Sequence, residues 1–103
     1  RAMSDSHNDN QEIRITASAL GREISGSYSS AFQSRYYLRR INITGTVTSS
    51  EILSAPNKCR HHVILDNIIR CEFAQVQDNI HDGEKIEISG LCLGKILTGC
   101  SVI

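Results

Sequence analysis

The sequence lacks tryptophan, has one proline and contains three tyrosines and two phenylalanines, so it offers few flat side chains on which bases could stack. No apolar run approaches the length of a membrane-spanning helix. Eleven basic residues balance eleven acidic ones, which excludes the uniform positive field of a strongly basic nucleic-acid-binding domain. Any contact with nucleic acid must therefore come from a local patch.

Cysteine is also scarce. Four cysteines are too few for a miniature scaffold built from disulfides, and no two of them form the C-x-x-C pair that is typical of redox and zinc sites. A length of 103 residues with 40% hydrophobic content fits one domain with one modest core. The chain begins with Arg1, so targeting signals cannot be judged and the compartment stays open.

A helical period occurs once in the sequence. Large apolar residues recur every four positions, at Leu20, Ile24, Tyr28, Phe32 and Tyr36, which predicts one face of a helix. Gly26 predicts a break that divides this helix in two. The polar residues before it predict a flexible lead, so the domain assignment is a lead over 1–15 and a single domain over 16–103.

After Leu38 the apolar period changes to two, which predicts five short strands. They cover 41–48, His61–Leu65, Ile68–Phe73, Lys85–Cys92 and Ile96–Ile103. Gly45 predicts a bulge or sharp bend in the first strand, and Asp66-Asn67 predicts a tight hairpin turn. The connection 74–83 has Val76 and Ile80 spaced for one helical turn.

This order predicts an all-β domain with an N-terminal helix: a five-stranded Greek-key OB-fold barrel capped by one or two short α-helices. An SH3-like barrel is the nearest alternative. It is disfavoured because a long connection falls between the third and fourth predicted strands, where OB folds usually place a helix.

Several spaced residues resemble one family, the bacterial tRNA-anti-like OB-fold domain. They are Ala19-Leu20, Ala31, Tyr36, Gly45 in I-N-I-T-G-T-V, Cys71-x-Phe73, Gly83-x-x-Ile86-x-Ile88-x-Gly90-x-Cys92-x-Gly94 and Leu97-x-x-Cys100. The resemblance covers about residues 16–103. In one departure, Leu38 takes a position where the family commonly has glycine, whereas Arg39 keeps the basic residue that follows it.

The resemblance implies a small bacterial protein of a family labelled as nucleic-acid-binding, whose members are often exported or lipid-anchored. It favours a periplasmic or membrane-anchored location, and a cytoplasmic one stays open. A function inherited from a fold is an association only, so it has to be tested against the surface of this chain.

Basic residues supply the candidate nucleic-acid contacts. One group follows the predicted helix and the other leads into the second predicted strand: Arg35, Arg39, Arg40, Lys58, Arg60 and His62. Phe73 shares parity with core residues and is predicted to be buried. We expect a non-catalytic module that binds single-stranded nucleic acid, or alternatively a protein-interaction or structural domain of the bacterial cell envelope.

No catalytic, metal or cofactor site is predicted. Cys59-x-His61-His62 has metal-ligand residue types, but His61 and His62 point to opposite faces of a strand. His81-Asp82 has no nucleophile that the sequence places beside it. Cys92 and Cys100 lie symmetrically about Ile96, so a hairpin could bring them within bridging distance; a disulfide in an exported protein and buried thiols both stay open.

Overall fold

The computed structural model describes residues 12–26, 34–53 and 61–103. The elements bounded within these residues are β1 (Ile13–Thr16), α1 (Ala17–Gly26), β2 (Arg40–Ile52), β3 (His61–Leu65), β4 (Ile69–Phe73), β5 (Lys85–Cys92) and β6 (Ile96–Val102). Ser34 and Arg35 are helical as well. Within these ranges no helix is both long enough and apolar enough to span a bilayer.

Five of the strands close into a barrel in the order β2-β3-β4-β6-β5, with β5 returning to β2. The long strand β2 closes it by pairing with β5 through its first half and with β3 through its second half. β4 and β6 pair in parallel, Arg70 opposite Ile96, and the other barrel pairings are antiparallel. This arrangement confirms the predicted OB-fold barrel.

The bend of β2 differs from the prediction. The register between β2 and β3 shifts between Val47 and Ser49, whereas Gly45 pairs regularly with Ile86. A Cβ atom at Gly45 would lie 3.0 Å from the Cβ of Leu65 and 3.1 Å from the Cβ of Ala17. Gly45 is therefore needed for the close approach of α1 to the barrel, and the bulge comes two to four residues later.

The helix α1 closes one end of the barrel, as predicted. Thr16 Oγ1 accepts the Ala19 N–H at 3.1 Å and caps the first turn. Leu20 and Ile24 are buried in the core, and Tyr36 packs against it from the segment before β2. Tyr28 and Phe32 of the predicted helical face lie outside the described residues. The buried side chains contribute to the same core as the strands, so α1 belongs to the domain.

The predicted lead ends too late. Residues 13–15 form most of β1, which pairs in parallel with the first half of β2. The physical reason is the alternation of Ile13 and Ile15 with polar residues: both isoleucines are half-buried and pack against the core. Such a short alternation is easily overlooked beside a polar segment. Residues 1–11 of the predicted lead lie outside the described residues.

The connections between strands also test the sequence predictions. Asp66 and Asn67 have φ values of 54° and 57°, which confirms the tight turn between β3 and β4. Residues 74–84 form turns and bends without a helix, although Ile80 packs against the core. The helical turn suggested there is wrong.

The cysteine pairing differs as well. The register of the β5–β6 hairpin places Leu97, and not Cys100, opposite Cys92, because the chain turns over Leu93–Ile96, where the Leu93 N–H donates to the Ile96 carbonyl, and not about Ile96. Cys71, Cys92 and Cys100 are free thiols. A hydrogen bond between Cys71 and Cys100, together with burial, raises the pKa of Cys71 above its usual range, whereas that bond lowers the pKa of Cys100. Cys92 is buried, which raises the pKa of its thiol.

Candidate nucleic-acid interface

The basic residues singled out from the sequence are not brought together. Arg40 opens β2, whereas His62 pairs with Glu51, close to the other end of that strand. The Arg40 guanidinium donates to Ser89 Oγ at 3.1 Å and to the Gly99 carbonyl at 3.0 Å. Its hydrogen bonds therefore hold it on β5 and β6, away from His62.

The other members of that set divide in the same way. Arg35 and Arg39 are exposed before β2, and the Arg39 carbonyl accepts the Cys92 N–H at 2.9 Å. Lys58 and Arg60 lie outside the described residues. Among the described members of the set, His62 alone lies on the outer surface of β3 and β4, so the two groups seen in the sequence stay separate.

The outer surface of β3 and β4 carries charged side chains that alternate with core residues. His62 of β3 and Arg70 and Glu72 of β4 are half-buried, and the positions between them are buried. Glu72 Oε2 lies 3.8 Å from His62 Nε2 and 3.5 Å from Arg70 Nε. Among the described atoms, Arg70 Nε is buried without a hydrogen-bond partner. This surface therefore has unused hydrogen-bonding capacity.

A cleft with basic side chains lies where α1, the β3–β4 turn and the β5–β6 turn meet. We call it the basic cleft; it has a volume of about 450 Å³ and is lined by Ser18, Gly21, Arg22, Asn67, Ile68 and Lys95. Its lining contains two cations and no carboxylate. The basic cleft can therefore accept an anion such as a phosphate.

Local geometry explains how three distant segments form the basic cleft. A Cβ atom at Gly21 would lie 2.7 Å from Cγ2 of Ile68, so the glycine lets α1 pack directly on the β3–β4 turn. Gly94 has a φ of 106°, which turns the chain between β5 and β6. The Lys95 carbonyl accepts the Arg70 N–H at 2.8 Å and ties that turn to β4.

Asp66 and Glu23 are each next to a lining residue along the chain; Glu23 is exposed on α1, and the oxygens of Asp66 already have partners. Oδ1 accepts the Thr46 N–H at 3.0 Å, and Oδ2 accepts the Ser18 hydroxyl at 3.2 Å. The carboxylate thereby fastens the β3–β4 turn to β2 and α1. Asp66 therefore stabilises the segments that form the basic cleft, and it is not one of the lining residues.

A second cleft has the opposite charge. We call it the acidic groove; it has a volume of about 390 Å³ and is lined by Gln77, Asp78, Asn79, Ile80, Glu84, Lys85, Ile86, Glu87, Val102 and Ile103. Three carboxylates and one ammonium group face it. A polyanion is repelled there.

His61 fixes the connection that forms one wall of the acidic groove. Its ring is 1% exposed; Nδ1 accepts the Gln77 N–H at 3.0 Å, and Nε2 lies 2.7 Å from Ser50 Oγ. Because Nδ1 is an acceptor, the ring proton of the neutral form is on Nε2 and is donated to Ser50. Burial and the neighbouring His62 lower the pKa of His61, and Asp78 opposes them.

The residues of metal-ligand type around His61 are also separated. His61 points into the barrel and His62 points outward, and Cys59 lies outside the described residues. In the described ranges no three metal-ligating side chains come together. Phe73, the aromatic residue of β4, is fully buried, which confirms that it is a core residue. The outer surface of β3 and β4 therefore presents polar and charged groups for recognition.

Sequence reasoning missed Arg22, Arg70 and Lys95. They belong to α1, β4 and the β5–β6 turn, and each is an isolated cation in its own segment. Only the parallel pairing of β4 with β6 and the packing of α1 on the β3–β4 turn bring these segments together. No local pattern in the sequence indicates that these three segments lie close together.

The sequence matches no protein-family model and no curated protein. Among solved structures, a chain in the crystal structure of yeast Stn1 and Ten1 is similar, with a TM-score of 0.55 and 15% identity. The match covers 91% of this chain and 64% of that chain, so this chain spans less than two thirds of its length. At this identity the likeness concerns the fold, and it agrees with the OB-fold barrel.

Proposed function

We propose that this domain is a non-catalytic OB-fold module that binds single-stranded nucleic acid, with no cofactor. The strand would follow the outer surface of β3 and β4 and place a phosphate in the basic cleft. The observation that carries the proposal is the charge of that cleft: Arg22 and Lys95 face it, and no carboxylate does.

The position of the basic cleft supports this function. OB folds bind strands on the surface of their second and third barrel strands, which are β3 and β4 here, and on the loops beside them. Lys95 belongs to one of those loops, and its carbonyl bonds to the backbone of β4. Two cations at this point would neutralise phosphates of the bound strand, and no carboxylate in the lining would repel them.

The resemblance to tRNA-anti-like domains supports the same proposal in a finer form. It favours a bacterial protein of that family, located in the periplasm or anchored to the membrane. Gly45, Gly90 and Gly94, which belong to the resemblance, all occupy buried positions of the barrel. They support the shared fold, whereas the family and the compartment remain part of the proposal.

Fluorescence anisotropy of a labelled thymine oligonucleotide, titrated at low and moderate salt, tests the function. We expect binding that weakens as salt rises. Replacement of both cations, Arg22→Ala with Lys95→Ala, should weaken binding by about tenfold or more, because hydrogen bonds to charged groups contribute about 1.5–3 kcal/mol each. The matched control is Lys85→Ala, which removes a cation from the acidic groove and should leave binding unchanged.

Two results would overturn the proposal. One is no binding of any oligonucleotide at low salt, and the other is binding that Lys85→Ala weakens as much as the two substitutions in the basic cleft. Circular dichroism of each variant verifies that the barrel is intact.

An exposed apolar group favours the second candidate, a protein-interaction domain of the cell envelope. Tyr37, Leu38 and Leu93 are 42%, 58% and 42% exposed, and the Leu38 N–H bonds to the carbonyl of Cys92, next to Leu93. Neighbouring exposed apolar side chains are typical of interaction sites. A partner that the wild-type protein retains from envelope extracts and that Leu93→Glu releases would favour this candidate; equal retention by both would count against it.

A further inference from the structure

We propose that Arg70 and Glu72 on β4 recognise the edge of a guanine base, so that the bound strand is selected by its guanines. This inference rests on the proposed function, and it names the base that the outer surface of β3 and β4 prefers. It assigns that selection to an arginine and a glutamate that lie two residues apart on one strand.

The two side chains share one surface. Residues two apart on a strand point to the same side, with Cα atoms about 7 Å apart. Here Arg70 Nε and Glu72 Oε2 approach to 3.5 Å, so one base edge can contact both side chains. Both are partly accessible, with side chains 41% and 23% exposed, whereas Ile69, Cys71 and Phe73 between and beside them are buried. A base lying against β4 would meet both groups at once.

Their hydrogen-bonding capacity is not used up within the protein. Glu72 Oε2 is 3.5 Å from Arg70 Nε and 3.8 Å from His62 Nε2, which is too long for strong hydrogen bonds. Arg70 Nε is also a buried donor without a partner in the described residues. Because Nε is buried, a base can reach only the outer part of the Arg70 guanidinium, whose side chain is 41% exposed.

The order of donors and acceptors fits guanine. The Watson–Crick edge of guanine presents one carbonyl oxygen and two neighbouring N–H donors, on the ring and on the amino group. An arginine donates to the carbonyl, and a carboxylate accepts from both N–H groups. Thymine and uracil present one N–H between two carbonyl oxygens, so their second carbonyl would face the carboxylate and be repelled.

A carboxylate at this position also disfavours the simplest alternative. If the surface bound only phosphates, the half-buried carboxylate of Glu72 would repel them and weaken binding. The negative charge is instead useful where a base edge supplies donors. The phosphates have the basic cleft, whose lining has no carboxylate.

The experiment compares three labelled oligonucleotides of equal length: thymine throughout, thymine with isolated guanines, and the same with inosine at each guanine position. Isolated guanines avoid folded guanine structures, and inosine lacks only the amino donor. We expect the guanine strand to bind at least about fivefold more tightly than the thymine strand, with inosine between them. Glu72→Gln should remove most of this preference.

Glu87→Gln is the matched control, because Glu87 has a similar exposure of 25% but lies in the acidic groove. It should keep the preference for guanine. Arg70→Lys keeps the charge but loses the planar donors, and it should weaken guanine binding more than thymine binding. Equal affinity of the wild-type protein for all three strands would overturn the inference and leave the proposed function intact, whereas failure of every strand to bind would overturn the function itself.

Discussion

The basic cleft and the acidic groove are formed by the same barrel and differ in the sign of their charge. Two cations line the first, and three carboxylates with one lysine line the second. The chain as a whole has no net charge, with eleven groups of each sign. Neutral composition therefore conceals a strong local division, and an argument from net charge about ligands fails for this molecule.

The two clefts also differ in how they are built. One wall of the basic cleft is α1, whose side chains extend into the core, whereas the acidic groove is walled by the connection 74–84 and the end of β6. That connection consists of turns, and several of its residues are exposed. We therefore expect substitutions behind the basic cleft to cost more stability than substitutions beside the acidic groove.

The largest effect is expected at Leu20, which is fully buried beneath the basic cleft. Leu20→Ala should lower the free energy of unfolding by about 2–5 kcal/mol, because it removes buried methyl groups and leaves a cavity. The counterpart in the acidic groove is Ile86, which is only half-buried, and Ile86→Ala should cost about 1 kcal/mol. Urea unfolding of both variants measures the difference, and equal losses would contradict it.

The next effect concerns how salt weakens nucleic-acid binding. Each phosphate contact on a single strand contributes about 0.7 to the slope of log affinity against log salt. Arg22→Ala with Lys95→Ala should therefore reduce that slope by about 1.4. Titrations at several salt concentrations measure the slope. The control is Asp78→Asn in the acidic groove, and a slope that falls equally in the control would show that the two clefts are not distinct.

Much of the barrel could be predicted because its signals are local. Alternation of apolar and polar residues places β3, β4, β5 and β6 within a residue or so of their observed bounds. The turn at Asp66-Asn67 depends on two adjacent residues that accept positive φ, so it too could be predicted from a local signal. β2 extends four residues beyond its predicted end, because its exposed second half has no apolar alternation.

The candidate site could not be predicted in the same way. It depends on which strands become neighbours, and Arg70 meets Lys95 only through the parallel pairing of β4 and β6. The cysteines show the same limit: symmetry about Ile96 suggested Cys92 with Cys100, but the hairpin turns over Leu93–Ile96, which places Leu97 opposite Cys92. Packing decides which distant segments pair, and a short sequence pattern does not predict that packing.

A smaller effect is expected from pH, and it acts at the acidic groove. The pKa of His61 in the folded protein is lowered from its ordinary value of 6.5, mainly by burial. The unfolded chain therefore binds a proton more readily than the folded one, so stability is full above pH 6.5 and is lost as the pH falls below it. Protonation of Nδ1 would also break the bond from the Gln77 N–H.

Urea midpoints measured across this pH range test the effect. His61→Asn is the matched variant, because an amide oxygen can accept the Gln77 N–H in place of Nδ1 and does not titrate. It should flatten the pH dependence. His62→Asn should keep most of it, and a wild-type midpoint that is constant through this range would show that His61 does not fasten the connection.

The smallest effect is expected at Gly83, where the same connection returns to the barrel. Its φ is 87°, and its N–H donates to the Val47 carbonyl at 2.7 Å. An added Cβ would meet no atom within 4 Å, so only backbone strain opposes a side chain there. Gly83→Ala should cost about 1–2 kcal/mol, and Gly83→Asn less, because asparagine accepts positive φ more readily. Since the basic cleft lies elsewhere, oligonucleotide affinity should be unchanged in both variants. Equal destabilisation by alanine and asparagine in urea unfolding would contradict positive φ as the source of the cost.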